Sequence, residues 1–270
     1  ADFGADVVKV EKPGKGDDLR NWKINGVSHW WAVYSRNKRS ISIDLKKDEG
    51  LDLLKELVKS ADVFIENFVP GTLEKWGIGP EQLNELNKKL IILRISGWGQ
   101  TGIYKNAPGF GSLVEGMSGF AAMTGEEKQS PLLPPLALAD MVAGLTGFGA
   151  ILMAILTSKK DNTGGQVIDL SLFEPFFSIL GPWAASYKIS GKVPERIGNR
   201  SNVAAPRGIY KTKDNKYVSL SASMQSMWEK LALTIGSSDL IKDPRFLTNS
   251  DRLNNQDDLD KPISKFIKKY

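Results

Sequence analysis

The chain has 270 residues, with 36 Lys+Arg against 31 Asp+Glu, no Cys and a single His. Without Cys there are no disulfides, thiolate metal sites or thiol nucleophile; with one His there is no His-pair metal site, and a Ser-His-Asp triad would depend on His29 alone. Carboxylates are left as the main titrating groups of any enzyme, and the net charge of +5 suits either an anionic small ligand or an unspecialised basic surface. No dense Lys/Arg run with interleaved aromatics points to nucleic acid. The longest apolar stretch, Met141 to Leu156, is short and interrupted by glycines, so the expectation is a soluble cytoplasmic protein without a membrane span.

Ala1–Gly4 resembles a helix end, and Val7–Glu11 alternates as a strand. Ser40–Asp44 is a short strand, and Lys47–Ser60 is a helix with Leu51, Leu54, Leu57 and Val58 on one face. A strand over Asp62–Glu66 leads to helices starting at Thr72 and Pro80, then to a buried strand over Leu90–Ser96. Strand–helix–strand at this spacing predicts a parallel sheet in an α/β fold. A Gly-rich segment, Gly97–Gly125, precedes a long helix from about Asp140 to Ser158, a strand over Gln166–Asp169 and a helical stretch over Leu170–Tyr187. Composition then shifts: Lys188–Pro206 is polar, and Gly208–Lys213 with Tyr217–Ser221 alternate around Asp214-Asn215 as a hairpin. This divides the chain into a large domain at 1–187, a linker at 188–205 and a small domain at 206–270. A strand so close to the start, and an uncapped amphipathic pattern over Ile263–Tyr270, suggest that a preceding strand–helix unit and a following segment are missing.

Several segments carry chemistry alongside plainer readings. Glu11 to Asp17 follows a strand and combines Pro13, Gly14 and Gly16 with Lys12 and Lys15; it is either a phosphate-holding turn or a surface turn, and it is neither a Walker loop nor a dinucleotide fingerprint. Arg36, Lys38 and Arg39 form either an anion clamp, with Lys12, Lys15 and Lys46, or a solvated loop. Glu66 to Gly71 sits at a strand's carboxyl end, where α/β sheets bind ligands. There Asn67 and Phe68 suit a base or ribose, Phe68 equally suits the core, and Lys75 suits a phosphate. Asp140 interrupts an apolar run, Leu136-Ala137-Leu138-Ala139 before it and Met141-Val142-Ala143-Gly144 after it. It reads as a helix N-cap, as a carboxylate held ionised at a helix N-terminus and able to attack a carbonyl, or as both. Gly144, Gly147 and Gly149 suggest close packing of that helix. Glu115 is either a second active carboxylate or a paired side chain, and His29 beside Trp30-Trp31 reads as core or rim packing.

Taken together in order, these blocks resemble the class III CoA-transferases, the CaiB/BaiF family. They are Gly4 to Gly14 with Gly16-Asp17, Asn37 to Ser40, Asp44-Leu45-Lys46 with Glu49-Gly50, Ala61-Asp62-Val63 with Glu66-Asn67-Phe68 and Pro70-Gly71, and Ser96 through Gly102. Pro108-Gly109-Phe110, Met123 to Glu126, Ala139-Asp140 with Gly144, and Gly165-Gln166 with Ile168-Asp169 complete them. The resemblance implies a Rossmann-like parallel-sheet large domain, a smaller α+β domain, an interlocked homodimer, and no metal. It implies that Asp140 attacks an acyl-CoA thioester and that CoA then attacks the resulting anhydride. An aspartyl-CoA thioester forms, and an acceptor carboxylate reverses the steps, with backbone N–H groups near Gly-rich turns holding the oxyanion. Coenzyme A contacts are implied at Lys12, Ile43, Asp44, Leu45, Lys46, Asn67, Phe68, Lys75 and Trp76.

Two positions near the reacting acyl group depart from relatives: Phe110 replaces a Tyr found in some, and Glu115 an amide of the oxalate type. With no run of four Gly toward the small domain, both argue against a formyl-CoA:oxalate specificity. Two alternatives remain. One is an α-methylacyl-CoA racemase of the same fold, which would pair the Asp with a His that this chain lacks between 110 and 116. The other is a non-catalytic CoA-binding protein.

Overall fold

The computed structural model describes residues 1–161 and 164–270. In chain order the elements are β1 (Val7–Glu11), α1 (His29–Tyr34), β2 (Lys38–Ser42), α2 (Asp48–Lys59), β3 (Val63–Glu66), α3 (Thr72–Lys75), α4 (Pro80–Leu86) and β4 (Ile91–Ser96). Then follow α5 (Gly111–Met117), α6 (Phe120–Met123), α7 (Leu138–Asp161), β5 (Val167–Ser171), α8 (Phe173–Ser178), α9 (Trp183–Ser190), β6 (Arg207–Lys211), β7 (Tyr217–Ser221), α10 (Gln225–Thr234), α11 (Asn249–Asn254) and α12 (Gln256–Ile267).

The chain forms two compact units, each discontinuous in sequence. One comprises Ala1–Val114 and Ala137–Ile179; the other comprises Glu115–Leu136 and Leu180–Tyr270. The expected division into consecutive stretches differs from this grouping, because residues 115–136 and 180–187 cluster with the C-terminal part. Local pattern carries no signal for such long-range membership.

In the first unit the strands form two parallel ladders, β1–β2 and β3–β4–β5 with β4 central. Among the described residues no ladder joins the two. The central strand reads as a nearly continuous apolar run because both of its faces are covered: Ile91, Ile92 and Leu93 are buried, and so is Arg94. Leu54 and Val58 of α2, spaced by one helical turn, pack with Leu73, Ile78, Leu83, Leu90 and Ile92 into one core. Each such side chain stabilises the fold by about 1.5–3 kcal/mol. Leu57, expected on the same face, stays partly exposed. Gly147 lets α7 approach the sheet, since a Cβ there would lie 3.0 Å from Leu93 Cδ2 and 3.1 Å from Leu170 Cδ2. Gly144 and Gly149 face open space, so the close-packing explanation holds at one of the three glycines. Gly165 is required differently: a Cβ there would collide with the Leu90 carbonyl where β5 begins to run beside β4.

Two local expectations change. Leu170–Tyr187 is not one helix: β5 continues to Ser171, and α8 and α9 are separated by Gly181 (φ +75°) and Pro182. The long helix begins at Leu138, two residues before Asp140, and runs for 24 residues. By length and composition α7 is apolar enough to cross a membrane. It leaves Leu145, Phe148, Leu152, Met153 and Leu156 exposed.

The second unit contains the expected hairpin, β6 antiparallel to β7, turned by Asn215 at φ +61°. Its core gathers Trp228, Phe246, Ala232, Leu259 and Ile263. Arg252 is buried among them (1% exposed). It donates to the Ala205 and Phe246 carbonyls (2.8 and 3.1 Å) and to Gln225 Oε1 (2.8 Å). Thr248 and Asp251 close a capping box on α11.

Candidate active site

Met141 N donates to Ala137 O at 3.0 Å, so Ala137 occupies the cap of α7 and Asp140 lies in its first turn. The N-cap reading of Asp140 is thereby corrected: the apolar residues before it are already helical. The first-turn N–H groups have no partner within the helix and favour an anion there. Desolvation acts the other way and is larger, so the carboxyl's pKa sits above its ordinary value although part of the side chain is exposed. A carboxylate held this way is more basic and therefore a better nucleophile once ionised.

Space beside that carboxyl comes from glycine. A Cβ on Gly111 would lie 2.7 Å from Asp140 Oδ2. Residues 97–110, between β4 and α5, form a closed loop whose ends meet at Gly97 and Gly109. A Cβ on Gly109 would lie 2.5 Å from the Gly97 Cα. The loop is pinned twice more. Gln100 N donates to both Asp169 oxygens (3.1 and 2.9 Å), and Trp98 Nε1 donates to the Pro108 carbonyl (2.9 Å). The anchors bring Gly111 beside Asp140. Phe110 immediately precedes it and is 72% exposed. Glu115 is buried and belongs to the other unit.

Most of the residues expected to contact coenzyme A follow the carboxyl ends of parallel strands, while Lys75 and Trp76 close the short helix α3. Lys12 follows β1 and Ile43 follows β2, and Ile43 N donates to Glu11 O at 3.0 Å, so the paired strands present Lys12 and the 43–46 segment together. Ile43 is buried, Lys46 is exposed, and the Asp44 carboxylate accepts from Lys46 N at 3.1 Å. Lys12 is exposed and pairs with Asp18 at 3.2 Å. Phe68 meets Trp76 edge-on at 5.2 Å, and both pack with Leu45 against the first unit's core, while Asn67 and Lys75 are exposed.

The loop after β1 is organised by Glu11, which sequence reasoning did not single out. Its buried carboxylate accepts from Arg20 (Nε 2.8 Å, Nη2 2.9 Å), from Asp17 N (2.8 Å) and from Ser40 Oγ (2.5 Å). Chiefly through the Arg20 hydrogen bonds, its pKa is held down at about 2. A second organiser, Arg94, joins Glu66 and Glu74. The available signal was a charged residue inside Ile91-Ile92-Leu93-Arg94-Ile95, where only a paired charge is tolerated. The aromatic cluster around His29 is a rim arrangement: Trp30 meets Trp22 and Tyr34, and the Arg20 guanidinium lies 3.8 Å from the Trp31 ring centroid. Among the described residues no group of three or more His, Cys, Asp or Glu is arranged to hold a metal.

Comparison with known proteins matches the profile of CoA-transferase family III to residues 1–270. The succinyl-CoA–D-citramalate CoA-transferase of Chloroflexus aurantiacus is 40% identical over 274 residues, covering 100% of this chain and 68% of that protein. The human succinyl-CoA:glutarate CoA-transferase is 35% identical, covering 97% of this chain and 60% of that one. The crystal structure of a CaiB/BaiF family protein from Brucella suis superposes with a TM-score of 0.83 at 36% identity, covering 99% of this chain and 72% of that one. The chain therefore spans about two thirds of the length of the proteins it matches.

Proposed function

Since the chain belongs to CoA-transferase family III, we propose that it moves coenzyme A from an acyl-CoA donor to a carboxylic acid acceptor through covalent intermediates on Asp140. An Asp140 oxygen attacks the thioester carbonyl, the C–S bond breaks, and CoA leaves as the thiolate. The thiolate then attacks the Asp140 carbonyl of the mixed anhydride, releasing the donor acid as its carboxylate and leaving an aspartyl-CoA thioester. The acceptor carboxylate attacks that thioester and expels the thiolate again. The thiolate takes the acceptor's acyl group from the second anhydride and returns Asp140 to the carboxylate. Each intermediate keeps the acyl group activated, so the cycle needs neither an external energy source nor a metal.

The observation that carries the reading is the Asp140 carboxyl in the first turn of α7, with its pKa raised and the bare Gly111 backbone beside it. Coenzyme A is assigned to Lys12, Ile43, Asp44, Leu45, Lys46, Asn67, Phe68, Lys75 and Trp76, with Phe110 near the acyl group. The relatives named above act between succinyl-CoA and citramalate or glutarate, so we assign this chain a short dicarboxylic acid as acceptor. We also propose an interlocked homodimer, in which the partner covers the exposed apolar residues of α7, and a cytoplasmic location. The test is a mass-spectrometric panel pairing succinyl-CoA with isotopically labelled acids. Label appearing in the CoA thioester of a dicarboxylate, and lost in Asp140→Asn, is expected. Exchange of the α-proton with no acyl transfer would instead support the racemase alternative.

A further inference from the structure

Arg94 lies on the central strand and is 6% exposed. In the β3–β4 ladder it stands opposite Glu66, the last residue of β3. Its guanidinium spends its donors in two directions. Nε donates to Glu66 Oε1 at 2.7 Å, while Nη1 and Nη2 donate to Glu74 Oε1 and Oε2 at 2.6 and 3.2 Å. The second Glu66 oxygen is also committed, accepting from Phe68 N at 2.7 Å. One planar group is thereby tied to the turn that carries Asn67 and Phe68 and to the short helix that carries Lys75 and Trp76. A four-residue helix is not stable by itself; Leu73 seats α3 in the core and Phe68 meets Trp76 edge-on, and the guanidinium adds a directional polar tie to these non-directional apolar contacts. The geometry of a bidentate guanidinium fixes both distance and orientation.

We propose that Arg94, acting through Glu66 and Glu74, is a positioning residue that sets the spacing between Asn67–Phe68 and Lys75–Trp76. It thereby sets the affinity for the nucleotide half of coenzyme A, without touching the acyl chemistry. The inference rests on the assignment of those four residues to the nucleotide end.

The experiment compares the wild type with Glu74→Ala, which cuts one arm at a partly exposed residue, and with Arg94→Lys, which keeps the charge and loses the fork. Lys75→Ala serves as the control for the underlying assignment. Binding of CoA and of its isolated nucleotide, 3′-phospho-ADP, is measured by calorimetry, alongside KM and kcat with succinyl-CoA. The expected result is that Glu74→Ala and Arg94→Lys weaken CoA and 3′-phospho-ADP by the same factor, about tenfold. KM rises accordingly, kcat stays within about twofold and the melting temperature of Glu74→Ala holds. Weakened CoA binding with unchanged 3′-phospho-ADP binding, or a fall in kcat with constant KM, overturns the proposal. If Lys75→Ala weakens the nucleotide but Glu74→Ala and Arg94→Lys do not, the proposal fails while the assignment stands. If Lys75→Ala also leaves nucleotide binding unchanged, the assignment itself fails and the proposal with it.

Discussion

Replacing Glu11 by Gln removes one negative charge and keeps the shape of the side chain. In the fold this carboxylate is 6% exposed and takes four hydrogen bonds, two of them from Arg20. With a pKa lowered from about 4.5 to about 2, its ionised form contributes about 3 kcal/mol at neutral pH. Arg20 keeps 39% of its side chain in solvent, and screening there reduces the figure to about 2 kcal/mol. The sign follows from the lowered pKa. The contribution is fully present above the unfolded value near 4.5 and is lost as pH falls toward 2, so roughly two fifths of it remains at pH 3. Urea unfolding of wild type and Glu11→Gln at pH 7 and pH 3 reads this directly. The gap between the two proteins is expected to be about 2 kcal/mol at pH 7 and below about 1 kcal/mol at pH 3. A gap of the same size at both pH values would refute the reasoning, because it would assign the loss to packing rather than to charge.

Three further outcomes follow from the same contacts. Gly111→Ala places a methyl group 2.7 Å from Asp140 Oδ2 and turns the carboxyl away. Stability is expected to change by less than about 1 kcal/mol, while kcat falls at least about tenfold; an unchanged kcat would contradict the crowding. Arg252→Met leaves the Ala205 and Phe246 carbonyls and Gln225 without their buried donor. It is expected to cost about 2–4 kcal/mol in urea unfolding, and a loss under about 1 kcal/mol would show that the network contributes little. Because desolvation raises the Asp140 pKa and only the carboxylate attacks, the acid limb of kcat/KM should break above the value of an ordinary aspartate. In a pH–rate profile, a break at or below an ordinary aspartate value would contradict that environment.

The strands and most helices were legible because period-2 and period-3.6 patterns are local. The shifts at Asp140 and Ser171 arose where an apolar run fits helix and strand alike. Asp140 itself stood out for a physical reason, a carboxylate placed where its neighbours are all apolar. Arg94 carried the same signal inside β4 and was passed over, as its two carboxylate partners lie 28 and 20 residues away in sequence. Glu11 gave less warning: a charge at a strand end is ordinary, and only the fold brings Arg20 and Ser40 to it. The loop closure at Gly97 and Gly109 was visible only as glycine richness, since which two glycines touch is decided by tertiary approach. The grouping of residues 115–136 with the C-terminal unit depends on contacts that leave no periodic trace.

The central claim is that Asp140 becomes covalently attached to the transferred group. The most direct measurement incubates the protein with succinyl-CoA, quenches with hydroxylamine or borohydride, and maps the modified peptide by mass spectrometry. A hydroxamate or a reduced alcohol is expected at Asp140, absent in Asp140→Asn together with the transfer activity. Full transfer activity in Asp140→Asn, or an adduct located on any other carboxylate, would contradict that attachment.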